Sequence, residues 1–218
     1  LNVSANFFSG GIIGIAGNCN VKIDGSSDSE GLIRGSITSG SISLVGDTSR
    51  GEGASLYGVG IGAATVIGAF LNTNNTVLTS LSVTNINIED LDISAPLIGR
   101  AMLGGIVGCC GNTTAKNIQS RIQNVDIKNV DINKEVKRFA FNGGVIGLVK
   151  EGVKKCEISN VKIIGDKNNK NTITGYRHSG GIIGLISSDT IIDNCLIENY
   201  EIVTDEYGED VGGIVGKI

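Results

Sequence analysis

Short segments in which apolar and polar residues alternate recur along the chain and predict β-strands. In the stretch KKCEISNVKI, Cys156 and Ile158 alternate, and the apolar residues then resume one position out of step at Val161 and Ile163. A one-residue shift would move all later side chains to the other face of a strand. Two residues between inward side chains fit a corner, and Asn160 stands there, a residue type that tolerates left-handed backbone.

One eight-residue pattern occurs in four aligned copies, and the sequence CNVKI is a shortened fifth copy. The pattern reads small or apolar, x, Ile/Val, x, Asn, apolar, x, Ile. The copies are residues 81–88, 120–127, 156–163 and 195–202, and the aligned asparagines are Asn85, Asn124, Asn160 and Asn199. If successive copies stack, the side-chain amides can bond to one another in a ladder, as in cross-β stacks. The alternative is that these asparagines form turns and leave their side chains in solvent.

A glycine box precedes the asparagine copies and sets the period of the repeat. It reads GGIIG, GGIVG, GGVIG, GGIIG and GGIVG at residues 10–14, 104–108, 143–147, 180–184 and 212–216, with a degenerate ATVIG at 64–68. Glycine permits close backbone approach and positive φ. A phosphate-binding loop would need a helix after the glycines. The segments that follow resemble strands, so nucleotide binding is disfavoured.

Each repeat has two short strand patterns and cannot bury its own apolar face, so stacking is required. The sequence therefore predicts an all-β fold, a single-stranded parallel β-solenoid (β-helix) of about six coils of 32–40 residues with right-handed winding. We expect residues 1–218 to form one repeat domain, as a fragment of a longer array or as a stacking subunit. The rival is an antiparallel β-sandwich. The long first interval suggests a degenerate extra turn at GSITSGSISLVG.

Composition and charge narrow the range of functions. The chain has 33 glycines, one proline, no tryptophan and a net charge of −4, a balance that argues against nucleic-acid binding. No segment has the about 20 apolar residues of a membrane-spanning helix. Sequons that would accept glycans in a secretory pathway occur at Asn2, Asn74 and Asn112.

Together the two boxes resemble the GLUG-type glycine-rich repeat of microbial cell-surface, adhesin-like proteins. The segment GGIIGLISSDTIIDNCLIENYEI (residues 180–202) carries the resemblance most fully, followed by GGVIGLVKEGVKKCEISNVKI (residues 143–163). The resemblance covers most of residues 104–218 and more loosely 10–23 and 64–88. It implies an extracellular or cell-surface scaffold more than any chemistry.

Five cysteines occur in no zinc-binding spacing. Cys19, Cys156 and Cys195 begin aligned copies, and the alternation predicts that they point inward and stack as a column of small hydrophobic side chains. Buried free thiols are the expectation. A disulfide between Cys156 and Cys195 in adjacent coils is the alternative, because the coil spacing falls near the usual Cα separation of a disulfide.

Candidate catalytic groups are sparse. The one histidine, His178, precedes a glycine box and is interpreted as a loop residue. Arg121, Asp126 and Asp131 could contribute to a carbohydrate-active face, and the acidic segment DEYGED could bind Ca²⁺. None of these recurs in successive repeats, so the sequence predicts no catalytic, cofactor-binding or metal site.

Three functions remain open at this stage. The first is an extracellular structural or adhesive scaffold without catalytic activity, whose partners are surface glycans or proteins. The second is a filament subunit that assembles with copies of itself, and the third is a carbohydrate-binding or carbohydrate-active β-helix.

Overall fold

The computed structural model describes residues 2–5, 8–25, 35–44, 61–73, 76–95, 101–111, 117–132, 140–168, 170–175, 177–204 and 208–218. These residues form β-strands joined by bends and short turns, with no helix among them. The strands are β1 (Asn2–Ala5), β2 (Phe8–Gly10), β3 (Ile13–Gly17), β4 (Val21–Asp24), β5 (Gly35–Leu44), β6 (Ile61–Ala64), β7 (Ile67–Leu71), β8 (Thr79–Ser94), β9 (Ala101–Gly104), β10 (Val107–Cys110), β11 (Ile118–Ile132), β12 (Ala140–Gly143), β13 (Ile146–Val149), β14 (Val153–Ile164), β15 (Asn171–Gly175), β16 (His178–Gly180), β17 (Ile183–Ile186), β18 (Thr190–Asp193), β19 (Leu196–Glu198), β20 (Tyr200–Thr204), β21 (Asp210–Gly212) and β22 (Val215–Lys217).

The strands form three sheets, and within the described residues every strand pairing is parallel. The pre-box sheet has the order β2-β6-β9-β12-β16-β21, and its strands lead into the glycine boxes. The post-box sheet has the order β22-β17-β13-β10-β7-β3, and its strands leave the boxes. The remaining strands form the ten-stranded long sheet, whose main path is β1-β5-β8-β11-β14-β18. The predicted all-β class with parallel sheets is confirmed, and the antiparallel hairpins of the rival sandwich do not occur in this part of the chain.

Successive repeats place equivalent residues side by side in the long sheet. Val83 pairs with Ile122, and Ile122 pairs in turn with Ile158. Val125 pairs with Val161 in the same register. All these side chains are buried, because alternate residues of a strand face one side of a sheet.

The segment GSITSGSISLVG does not add an extra turn, in contrast to the sequence-based expectation. Its strand β5 pairs with the second half of β8, while β4 pairs with the first half. The two strands therefore form one interrupted equivalent of β8, and the long interval reflects residues inserted between and after them.

The box glycines are explained by close contact and not by positive φ. A Cβ on Gly143 would collide with the carbonyl oxygen of Ile146 in the same bend. A Cβ on Gly144 would collide with the carbonyl oxygen of Gly181, the equivalent residue of the next repeat. A Cβ on Gly147 would meet the backbone of Leu103 in the pre-box sheet. In the pattern G-G-x-x-G, the first glycine thus permits the tight bend and the second permits bends of successive repeats to stack. The third glycine permits the contact between the two sheets.

Among the residues that the structure describes, the buried apolar side chains form two clusters. The larger draws residues from all three sheets, among them Ile88 and Leu103. The smaller contains Met102, Cys109 and Leu148, with Phe141 packed against it. It consists of the alternate side chains of the pre-box and post-box strands, which explains how the second apolar face of these short strands is buried.

Candidate functional site

Side-chain amides at the first corner of the long strands form a continuous row of hydrogen bonds, here called the asparagine ladder. Asn124 Nδ2 donates to Asn85 Oδ1 over 3.1 Å, and Asn160 Nδ2 donates to Asn124 Oδ1 over 3.1 Å. Asn194 Nδ2 donates to Asn160 Oδ1 over 2.6 Å, and Asn85 Nδ2 donates to Asp24 Oδ1 over 2.9 Å. Each amide donates to the preceding repeat, and the ladder begins at a carboxylate, which can only accept.

The corner requires left-handed backbone. Asn85, Asn124, Asn160 and Asn194 have φ values of 57°, 55°, 54° and 48°. Asparagine is among the few non-glycine residues that adopt this region readily, because its short polar side chain bonds locally. The residue type therefore meets two requirements at once: the backbone turn and the bond to the next repeat.

Asn199 does not belong to this ladder, and this corrects the sequence-based alignment. In the observed register Cys156 pairs with Thr190 and Ser159 pairs with Asp193, so Asn194 lies beside Asn160. The last copy therefore begins at Thr190, five residues before Cys195.

Asn199 marks a second corner, which the sequence analysis missed. Its φ is 57°, and Asn129 and Asp90 have φ values of 51° and 54° at the equivalent points. Asn129 Nδ2 donates to Asp90 Oδ1 over 3.0 Å, and Asn199 Nδ2 donates to the carbonyl oxygen of Gly165 over 3.4 Å. The available signal was a pair of Asn or Asp residues five apart in three of the four copies; the copy with Asn160 has Gly165 instead.

The predicted cysteine column does not form. Cys19 is exposed, Cys156 is buried and Cys195 is half-buried, and all five cysteines are free thiols. Cys156 pairs in register with Ser120 and Thr190 and not with another cysteine. The Sγ of Cys195 instead donates to the carbonyl oxygen of Asp193 over 3.3 Å. The expected Cys156–Cys195 neighbourhood resulted from the misaligned last copy.

Burial keeps the interior thiols protonated. It raises the pKa of Cys109 to about 12 and that of Cys156 to about 11. Burial also raises the pKa of Cys110 well above its ordinary value. Reactive cysteines have lowered pKa values and partial exposure, so these three residues have the character of core side chains.

His178 lies on β16 and not in a loop, in contrast to the sequence-based interpretation. Its ring stacks on Phe141 with 5.2 Å between ring centroids, and only 5% of its side chain is exposed. Its Nδ1 lies 2.9 Å from Oδ2 of Asp210, its register partner on β21, without the alignment of a hydrogen bond. Burial lowers the pKa of His178.

Two carboxylates and two cations surround His178. Ligand atoms of His178, Glu209 and Asp210 all lie within 4.8 Å of one another. Glu209 Oε1 lies 3.1 Å from Arg177 Nε, and Asp210 Oδ2 lies 3.3 Å from Lys217 Nζ. This group, here called the His178 cluster, is the one set of three or more metal-ligating side chains in the part of the chain that the structure describes.

The carbohydrate-site candidates are not brought together into a cleft. Arg121 pairs with Glu157, 3.7 Å away. Asp131 accepts hydrogen bonds from the backbone N–H and the hydroxyl of Thr172. Asp126 lies opposite Lys162 in the register of the long sheet. Each of these side chains therefore has a register or bonding partner on a neighbouring strand.

Of the sequons, Asn2 lies exposed on β1, where its Oδ1 accepts hydrogen bonds from the backbone N–H and hydroxyl of Ser41. Asn74 and Asn112 lie outside the described residues, as do the first three residues of the acidic segment DEYGED. The last two residues of that segment, Glu209 and Asp210, belong to the His178 cluster.

Comparisons of the chain with protein-family profiles, curated proteins and solved structures found no match. Among the described residues, no helix has the length and apolar character that a membrane crossing needs.

Proposed function

We propose that the chain is an extracellular or cell-surface scaffold with a structural or adhesive role and without catalytic activity. In this proposal the three parallel sheets are the sides of a right-handed β-solenoid of about six coils, and the glycine box and asparagine ladder recur in each coil to hold its bends. The resemblance to GLUG-type surface repeats supports the location.

One observation carries the proposal: an inward column of isoleucines repeats between layers, whereas the outward column beside it does not. The inward column Ile88, Ile127 and Ile163 keeps one residue type through three neighbouring strands. The adjacent outward column reads Asn87, Asp126, Lys162 and Leu196 in the same register. The repeat thus preserves stacking and leaves the outer surface of the long sheet to vary, as expected of a scaffold that presents different side chains to partners.

The partners proposed are surface glycans or proteins, which the polar outer face of the long sheet would contact. The test is binding of the purified chain to a glycan array and to immobilised cell-surface protein. The proposal predicts saturable binding that weakens in an Asp126→Ala, Lys162→Ala double variant with an unchanged melting temperature. Hydrolysis or cleavage of any arrayed glycan by the chain would contradict the non-catalytic role.

Self-assembly is a second candidate, because apolar side chains are exposed on the outermost layers. Ile12 and Ile15 are 50% and 42% exposed at one side of the stack, and Val211 and Ile214 are 48% and 46% exposed at the other. Parallel strands of a second copy could pair with these edges. Sedimentation velocity over a concentration series separates this alternative from a monomeric scaffold.

A further inference from the structure

We propose that His178, Glu209 and Asp210 form a Zn²⁺ site that fastens β16 to β21. The site goes beyond the scaffold role, which requires no metal. It joins an imidazole nitrogen with two carboxylate oxygens, and these are ligand types that zinc accepts.

The first support is the state of the His178 ring. Its side chain is 5% exposed, and its Nδ1 makes no hydrogen bond although Asp210 Oδ2 is 2.9 Å away. A buried ring nitrogen normally has an aligned partner. The Nδ1 to Oδ2 separation lies within hydrogen-bond range, but the ring nitrogen makes no hydrogen bond to that oxygen. Two ligands of a tetrahedral zinc ion, each about 2.1 Å from the metal, are about 3.4 Å apart. A widening of about 0.5 Å would let both atoms bind one zinc ion.

The second support is that the backbone of both acidic residues is already held next to the strand that carries His178. The backbone N–H groups of Asp210 and Glu209 both donate to the carbonyl oxygen of Arg177, over 2.8 and 3.3 Å. His178 is fixed in turn by stacking on Phe141. Ligands on rigid elements lose little freedom when an ion binds.

The Glu209 side chain has to move to complete the site. The three ligand atoms lie within 4.8 Å of one another, whereas two ligands of a tetrahedral zinc ion are about 3.4 Å apart. The Glu209 side chain is 45% exposed, so a change of rotamer closes the difference.

Two cations oppose metal binding, and they make the proposal sharply testable. Lys217 Nζ lies 3.3 Å from the same Asp210 oxygen that the ion would use, and Arg177 Nε lies 3.1 Å from Glu209 Oε1. Zn²⁺ must displace Lys217 from Asp210 or share that oxygen with it. Removal of the ammonium should therefore strengthen binding, whereas removal of a ligand should weaken it.

The experiment is titration of the purified chain with ZnCl₂ by isothermal calorimetry, paired with melting temperature. A Cys19→Ser, Cys195→Ser background removes the thiols that are exposed or half-exposed, since they also bind zinc. We expect one ion per chain, and a higher melting temperature with zinc.

The variants are chosen to preserve packing. His178→Phe keeps the stack on Phe141, and Asp210→Asn keeps the side-chain shape; each should weaken zinc binding at least tenfold. Lys217→Met should strengthen it severalfold. Glu151→Gln changes an exposed carboxylate in the turn before β14 and should leave zinc affinity unchanged.

Three outcomes would overturn the proposal. They are the absence of saturable zinc binding, zinc binding that survives both His178→Phe and Asp210→Asn, and Ca²⁺ binding that is tighter than zinc binding and indifferent to His178→Phe. If circular dichroism shows that a ligand variant is unfolded, the Lys217→Met variant still tests the proposal. Unchanged or weaker zinc affinity in that variant would contradict competition between zinc and the Lys217 ammonium for the Asp210 carboxylate.

Discussion

Asn160 donates its side-chain N–H to the carboxamide oxygen of Asn124, 36 positions earlier in the chain, over 3.1 Å. Its own oxygen accepts from Asn194 over 2.6 Å. One residue thus connects three layers of the long sheet. Its φ of 54° also turns the strand, so backbone shape and bonding between layers depend on the same side chain.

Two substitutions at Asn160 should separate these roles. Asn160→Gly removes two ladder bonds but accepts the left-handed backbone, and it should lower the unfolding free energy by about 1–2 kcal/mol. Asn160→Ala adds the cost of a Cβ in that region, about 1–2 kcal/mol more. Urea denaturation measures both. Equal stability of the alanine and glycine variants would contradict the claim that the left-handed backbone needs asparagine or glycine. Wild-type stability of both variants would contradict a stabilising role of the ladder bonds.

The glycine box contains its own matched control. Gly144→Ala should destabilise the chain by about 1–3 kcal/mol, because the added Cβ collides with the backbone of Gly181. Gly213 is the equivalent box position, and a Cβ there meets nothing within 4 Å. Gly213→Ala should therefore change stability by less than about 0.5 kcal/mol. Similar thermal shifts for both variants would contradict close stacking of the bends.

Tyr200 replaces a missing strand partner. Its hydroxyl accepts from the backbone N–H of Val130 over 3.0 Å and donates to the carbonyl oxygen of Val130 over 2.9 Å. Val130 lies opposite the gap between β14 and β15, where the chain leaves the sheet. Tyr200→Phe leaves two backbone groups unsatisfied and should cost about 1–3 kcal/mol. Amide exchange at Val130 should accelerate in the variant, and unchanged exchange would contradict this role.

Thiol reactivity and alkaline stability should follow burial. Iodoacetamide should modify Cys19 rapidly and leave Cys109 and Cys156 unmodified in the folded chain. The folded pKa values of about 12 and 11 exceed the ordinary 9.0. The associated stability is present below pH 9 and is lost as pH rises toward 11–12.

Cys156→Val isolates one of these thiols, and Val21 and Leu81 show that an apolar residue fits the same column. The unfolding free energy of this variant should fall less steeply with pH between 9 and 11 than that of the wild type. An identical slope would show that the Cys156 thiol does not contribute.

The sequence was sufficient for the parallel all-β class and for three of the four ladder asparagines. Both can be predicted because the bend requires glycine and the corner requires asparagine, so the repeat period of these residue types is visible in the sequence. The last copy was misaligned because a cysteine precedes each of two different corners, and only pairing between strands shows that Asn194 lies beside Asn160. The contact of His178 with Asp210 was also beyond the sequence, since it depends on the register of two three-residue strands.

The most direct test of stacked, in-register repeats is the distance between equivalent outward positions. Arg121 pairs with Glu157, while Ser82 and Ile191 lie one layer further out on either side. Nitroxide labels on cysteines at 121 and 157, in the Cys19→Ser, Cys195→Ser background, should be one strand spacing of about 4.8 Å apart. Their electron paramagnetic resonance spectrum should be strongly broadened. Labels at 82 and 191, three spacings or about 14 Å apart, should give much weaker broadening. Narrow spectra for the 121/157 pair, or equal broadening for both pairs, would contradict the stacked arrangement.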